Sequence, residues 1–551
     1  MRPEQTAFSE TEGDHGTSLA RALDRWTALL GADHVLAQGT DLEAYRQSTL
    51  PAAPSAWAVL RPGSRDQLIE ALAIARECAV PLYPISRGRN WGYGDACPVT
   101  EGQVVVDLGR MNRILEVDPD LGYAVIEPGV TQGQLARYIE DNGLALCIDA
   151  TGAGPETSLV GNVLERGYGH SPAGDRFRSI CGLQVVLADG RVLETGFGHY
   201  QDAQASRVFP YGVGPVLDGL FTQSNFGIVT KMGLWLQPKP AVTQVFICSV
   251  EAESGIAGLV EDLRRLRLNG DLRSIVHIGN ELRAFSGEGG FPLDRAREGP
   301  PLSPELRGEL RRELGVGAWT AWGGLSGSSA QVAVARRAVK RALKKPGRKL
   351  VIMDERKLKL ARVFARTSLG RGLRHKLDAV AAALDLVRGR PTDHFLTGVY
   401  WRRPGGRPAG DADPRTDGCG VLWLSPVMPM TGPAVTRFMA LIAPIYAAHG
   451  FDLFVTLNLV TERALGAVLN IVYDKADPEE ATRARGCYDQ LLDSLMAEGL
   501  PPYRVGIQSM AQLDQGSDVF WDVAAEIKAA LDPEGMIAPG RYQPGRARSQ
   551  R

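Results

Sequence analysis

The chain has 551 residues, with 62 lysines and arginines against 63 aspartates and glutamates. That length exceeds one ordinary domain and allows two or three lobes with cores of their own. A net charge near zero gives no electrostatic case for nucleic acid or an acidic membrane surface, and no apolar run approaches the roughly 20 residues that span a bilayer.

Residues 1–17 are polar and acidic, lack the basic-then-apolar order of a secretory signal, and read as a disordered arm. Residues 18–30 read as helix, with Leu19, Leu23, Trp26 and Leu30 at helical spacing. Short strands follow at Ala56–Leu60, Leu82–Ser86, Val104–Leu108, Ile114–Val117 and Tyr123–Ile126. Between them, Ser64–Cys78 is an amphipathic helix with Ser64 as N-cap, its inner face Leu68, Leu72 and Ala75. Thr131–Asn142 is a helix ending before Gly143. Leu183–Leu187 and Arg191–Thr195 flank a tight Ala188-Asp189-Gly190 turn. The alternation predicts one α/β domain over 18–240. Over 241–500, strands at Gln244–Val250, Gly347–Met353, Cys419–Leu424 and Ala467–Tyr473 alternate with helices at Gly255–Arg267, Gln331–Lys345, Thr431–His449 and Pro478–Glu498. This predicts an α+β lobe, interrupted by the loop Arg402–Gly418, before residues 501–551 return to motif-bearing loops. The seven cysteines are scattered, so reduced thiols and a cytoplasmic setting are expected; the eight histidines show no metal spacing, so no metal site is expected.

Three glycine-rich segments carry the chemistry. Leu82–Gly94 runs a strand into a turn with three glycines and two arginines, which suits close backbone approach to an anion. Asp149–Gly169 interleaves five glycines with Thr151, Thr157, Ser158 and Asn162, and Leu220–Lys231 contains Ser-Asn-Phe-Gly. Neither a Gly-x-Gly-x-x-Gly opening a helix nor a Walker lysine pattern is present.

The phrases 88–94 (Gly-Arg-Asn-Trp-Gly-Tyr-Gly), 161–167 (Gly-Asn-Val-Leu-Glu-Arg-Gly), 209–215, 219–225 and 532–540 together resemble the vanillyl-alcohol oxidase / 4-cresol methylhydroxylase family. The resemblance implies an overall α+β fold: a two-lobed FAD-binding domain plus a cap whose sheet is covered by helices. It implies FAD contacts from Pro84, Ile85, Ser86, Arg87, Gly88, Arg89, Asn90, Thr151, Gly152, Ser158, Gly161, Asn162, Gly169, Gly227, Ile228, Val229 and Arg541. In its phenol-oxidising branch a triad holds the substrate as phenolate, and Tyr93, Tyr503 and Arg504 match it. An arginine and two phenolic donors favour the anion, and hydride then leaves for the flavin. On residues alone, Tyr503 reads as a core residue and Arg504 as a structural ion-pair partner. The resemblance also implies a small-molecule substrate, oxygen or a cytochrome-type protein as electron acceptor, and a homodimer.

The sequence departs from the family in three places. No histidine stands at Gly466-Ala467 or within Arg87–Asn90, where relatives link FAD covalently, so non-covalent FAD is expected, with Tyr400 and Tyr446 as remaining candidate tethers. Thr151 or Gly152 replaces an aspartate near the flavin. His170 follows Tyr168-Gly169 and reads either as an acid/base or as a structural histidine, with His394, at the start of a cap strand, as a second candidate. Oxidation of a para-substituted phenol or benzylic alcohol is the leading function. The alternatives are oxidation of a specialised-metabolite alcohol, polyketide or amine, and a catalytically silent flavoprotein subunit.

Overall fold

The computed structural model describes residues 7–296, 299–367, 374–513 and 518–544. The first helix, Ala7–Leu30, begins well before residue 18 and takes in most of the segment expected to be a disordered arm. Trp26 is fully buried, and its Nε1 donates to Ala71 O at 2.9 Å, fixing this helix to the helix Arg65–Glu77. Ser64 caps the latter by accepting from Gln67 N, as its position suggested.

The segment 18–240 builds two main sheets, and Leu146–Cys147 pairs with Gln237–Pro238 in a third, two-stranded one. Val59–Leu60, Val104–Asp107 and Leu82–Ile85 run parallel, with Val35–Leu36 antiparallel at the edge. Ile114–Asp118, Tyr123–Ile126, Ile228–Trp235, Ile180–Val186 and Val192–Glu194 form an antiparallel five-stranded sheet. Short connections allow antiparallel neighbours, whereas parallel ones need long crossovers. Each main sheet buries its own apolar cluster.

Residues 242–473 supply an eight-stranded antiparallel sheet, in the order Arg348–Met353, Val242–Val250, Trp319–Gly327, Val276–Asn280, Phe454–Leu459, Ala464–Tyr473 and Gly420–Leu424, with Val427–Pro429 also pairing to Ala464–Tyr473. One face packs on the helices Ile256–Leu268, Ser329–Leu343, Gly432–Ala448 and Pro478–Ala497 in the largest core. His394 does not begin a strand: His394–Tyr400 is a 3-10 helix. The C-terminal segment returns to the first sheet. Leu82 pairs with Ile537, Ala538 N donates to Leu82 O at 2.7 Å, and Lys528 Nζ donates to Ile537 O at 2.8 Å. Among the described residues no helix is long and apolar enough to cross a membrane, and no cluster of His, Cys, Asp and Glu is arranged to hold a metal. All seven cysteines are free and buried.

Candidate active site and flavin cradle

The two leading glycine segments meet. Ser86 ends the strand run Pro84-Ile85, and a Cβ on Gly161 would stand 3.1 Å from Ser86 Oγ. Only a glycine leaves that space open. Gly88, Gly92 and Gly94 all have positive φ, which favours glycine, and a Cβ on Gly88 would meet Ala96 at 2.9 Å. Ser158 Oγ accepts from Gly161 N at 2.9 Å and donates to Pro128 O at 2.7 Å. Above this cradle sits Arg415, from the loop 402–418. Its Nη1 lies 3.4 Å from a Cβ on Gly88, and both Nη1 and Nε are buried without a hydrogen-bond partner. A buried, under-satisfied guanidinium over a glycine cradle fits a pyrophosphate. Sequence reasoning missed Arg415 because the loop carrying it is remote in the chain and rich in other charges.

The remaining expected FAD contacts divide. Thr151 N donates to Gln132 Oε1 at 3.0 Å, and Gly152 packs on Phe395. Arg87 faces Glu156 at 3.4 Å, Arg89 donates to Ala412 O, and Asn162 Oδ1 accepts from Arg176 at 2.9 Å. Gly169 lies against Asp149. Ile228 and Val229 send their side chains into separate cores, and a Cβ on Gly227 would strike Val185 at 2.6 Å, so only the backbone of this stretch can face a ligand. Arg541 bonds to the Glu165 carboxylate and donates to Tyr83 OH at 2.9 Å.

Tyr93, Tyr503 and Arg504 are brought together. The Arg504 guanidinium lies 4.2 Å over the Tyr93 ring, its Nη2 bonds Asn90 Oδ1, and its Nε is 3.5 Å from Glu165. Tyr93 OH is 2.6 Å from Ser425 Oγ, and its ring meets Trp423 edge-on. Tyr503 is held by its own backbone, donating to Ser425 O at 3.0 Å and accepting from Gln223 Nε2 at 2.9 Å. Tyr168 OH accepts from Asn458 Nδ2 at 2.7 Å, and its ring lies 5.9 Å from that of Tyr503. Burial raises all three phenols above their ordinary range, so they remain protonated donors. Among the described residues Glu165 is the carboxylate that faces both Arg504 and Arg541, leaving these three groups with one positive charge in excess.

The cap sheet roofs this cluster with its second face. Cross-strand partners share a face, so Trp322, His277, Asn458 and Gly466 form one row and Thr320, Gly279, Thr456 and Val468 the next. Trp322, Thr320, Gly279, Thr456 and Val468 of these rows, together with Tyr168, Tyr503 and Trp423, keep partial exposure, which fits the wall of a cavity between the cap and the cluster. His277 Nδ1 is 2.5 Å from Asn458 Oδ1, and since Asn458 Nδ2 donates to Tyr168, the proton sits on His277 Nδ1. Burial pushes His277 down to about 4 and His170 well below the usual histidine range, so both rings are neutral. His170 packs edge-on against His277 and Trp322, with Nδ1 buried and unpartnered. It stands in this aromatic group rather than in the Tyr93–Arg504 cluster. His394 packs edge-on to Phe395, on the far side of Trp322. Tyr168, Asn458, His277 and Glu165 were not anticipated; Tyr168 and Glu165 lay inside quoted motifs, but the cap residues carry no local signal.

The described FAD binding domain model matches residues 56–196. The chain is 37% identical to the 1'-carboxy-chondrochloren decarboxylase of Chondromyces crocatus, covering 95% of this chain and 97% of that one. It is 33% identical to the 4-cresol dehydrogenase [hydroxylating] flavoprotein subunit of Pseudomonas putida, covering 95% of each. The crystal structure of p-cresol methylhydroxylase with substrate bound superposes with a TM-score of 0.87 at 31% identity, over 96% of this chain and 97% of that chain. With such likeness over nearly the whole length, and a cradle whose glycines and buried arginine fit FAD, this chain is an FAD-dependent oxidoreductase belonging to the vanillyl-alcohol oxidase / 4-cresol methylhydroxylase family.

Proposed function

We propose that the protein removes hydride from the benzylic carbon of a para-substituted phenol or benzylic alcohol held as its phenolate by Tyr93, Tyr503 and Arg504. The observation that carries this reading is the excess positive charge of the cluster: Glu165 answers two arginines, and the two tyrosines beside Arg504 are protonated donors. An anion with a planar apolar body completes that set. Arg504 and the tyrosines lower the pKa of the bound phenol and so drive electron density toward the para carbon. FAD supplies the two-electron acceptor when bound. The cap sheet excludes water from the ring.

FAD is held without a covalent bond. Supporting this, Gly466 and Ala467 offer no nucleophile, while Tyr400 OH donates to Asp417 at 2.6 Å and Tyr446 OH to Asn470 O at 3.2 Å, both deep in the cap. Oxygen or a cytochrome-type protein then takes the electrons; the Pseudomonas relative, named as a flavoprotein subunit, supports the second. A larger specialised metabolite is the alternative substrate, favoured by the Chondromyces relative, whose name specifies one. Anaerobic mixing with para-alkylphenols tests the reading: phenols bleach the flavin and their methyl ethers do not. Equal bleaching by phenols and ethers removes the phenolate from the mechanism.

A further inference from the structure

Arg283 is a charged group that the triad and the flavin cradle leave unexplained. It projects from the helix Glu281–Glu288 toward the cavity face of the cap sheet. Its Nη2 donates to Asn470 Oδ1 at 2.7 Å and to Val468 O at 3.4 Å, both neutral acceptors. Its Nε is buried without a partner, and its guanidinium carbon lies 5.6 Å over the Phe454 ring. Nη1 points past Gly398, where a Cβ would stand 3.8 Å away. Gly279, across from Thr456 and Thr320 in the wall of the cavity, is packed on the Arg283 stem, where a Cβ would come within 3.1 Å. Small residues thus border the guanidinium on two sides.

Among the described residues no carboxylate lies within ion-pair distance of Arg283, whereas Arg267, Arg348 and Arg402, also buried in the cap, face Glu462 at 3.7 Å, Asp262 at 2.8 Å and Glu480 at 2.9 Å. Burial brings Arg283 down to about 10, so it is still cationic at neutral pH. A buried charge without a counterion is costly, and the two neutral acceptors would be served as well by an uncharged amide. The charge is therefore unexplained by the fold of the cap alone. It lies on the same sheet face as the cavity, since Val468 follows Gly466 by two residues on one strand, and Asn470 pairs with Trp423, the residue packed on Tyr93.

We propose that Arg283 is an anion subsite, and that the substrate is a para-substituted phenol whose side chain ends in a carboxylate. This rests on the phenolate reading above, with the ring at Tyr93, Tyr503 and Arg504 and the tail reaching along the cap sheet. The guanidinium keeps Nη1 unspent on the edge facing Gly398 and Nε without a partner, so it can still donate to a carboxylate oxygen while Nη2 holds Asn470 and Val468.

The test compares 4-ethylphenol with a series of increasing tail length: 4-hydroxyphenylacetate, 3-(4-hydroxyphenyl)propionate and 4-(4-hydroxyphenyl)butyrate. Anaerobic flavin bleaching is followed in the holoenzyme and in Arg283→Gln and Arg283→Lys. At least one carboxylate is expected to half-saturate the wild type at a concentration ten- to a hundredfold below 4-ethylphenol. Arg283→Gln abolishes that advantage, Arg283→Lys keeps part of it, and neither changes bleaching by 4-ethylphenol. An Arg283→Gln protein that loses 4-ethylphenol and the carboxylates equally makes Arg283 structural. A wild type that prefers 4-ethylphenol to every acid overturns the subsite and leaves the phenolate reading standing. A wild type bleached by none of the four overturns both.

Discussion

Replacing Arg504 by alanine separates phenolate binding from flavin binding. Arg504 lies 4.2 Å over Tyr93, where substrate oxygen would meet both tyrosines and the guanidinium. A hydrogen bond to a charged group contributes about 1.5–3 kcal/mol, which at about 1.4 kcal/mol per tenfold is roughly ten- to a hundredfold in kcat/KM. The loss falls on the hydride step, because the bound phenol's pKa rises by one to two units on the same scale, about. The fold should tolerate the change: Glu165, which faces Arg504 at 3.5 Å, keeps its bond to Arg541 and accepts from Tyr542 OH at 2.9 Å. The assay is stopped-flow bleaching across pH 6 to 10, alongside the FAD dissociation constant and Tm. The variant's bleaching rate should recover toward wild type at high pH, as free phenolate becomes abundant. A rate unchanged at pH 7, or a loss that parallels FAD release, refutes the reasoning.

Arg415→Ala should weaken FAD roughly ten- to a hundredfold, the cost of one charge-assisted contact; titration of apoprotein with FAD checks it, and undiminished affinity would place the pyrophosphate elsewhere. Acid precipitation should leave the flavin in the supernatant, and yellow colour in the pellet would disprove non-covalent binding. Asp95 is buried and accepts from Ser48 Oγ, Thr49 N and Thr49 Oγ1, yet burial pushes it up from 3.8 to about 6. The folded state therefore holds this proton more tightly than the unfolded chain, so stability is full below about pH 4 and falls as pH rises through about 6, by at most about 3 kcal/mol. Asp95→Asn keeps an acceptor and removes the charge; thermal melts should show it stabilised at pH 8 and unchanged at pH 4, and a pH-independent difference would rule out this cause.

The flavin side was legible because its constraints are local. Gly88 needs a positive φ, Ser158 caps the helix that carries Gly161, and Ser64 caps its own helix, all within a few residues of where the signal is written. The cap was less legible. Its strands Val276–Asn280, Trp319–Gly327 and Phe454–Leu459 are central, buried on one face and lining a cavity on the other, so their cavity face carries His277, Trp322 and Asn458 instead of a surface-like polar pattern. What brings His277 beside Asn458 is strand order, a pairing across more than a hundred residues that no window of sequence contains. The same holds for Arg415 over Gly88, and for Glu165 between two arginines from the distal end of the chain.

The return of the C-terminal segment bears on how the enzyme matures. The strand bearing Leu82 and the loop after it are made early, but their partners Met536, Ile537 and Ala538, and the Arg541 that shares Glu165 with Arg504, are made last among the described residues. A chain still being translated can form both N-terminal sheets and most of the cap. It cannot yet close the cradle or set the charge balance of the triad. Cofactor loading thus waits until the segment through Arg541 has been made, and a protein shortened before Ile537 should accumulate folded but colourless.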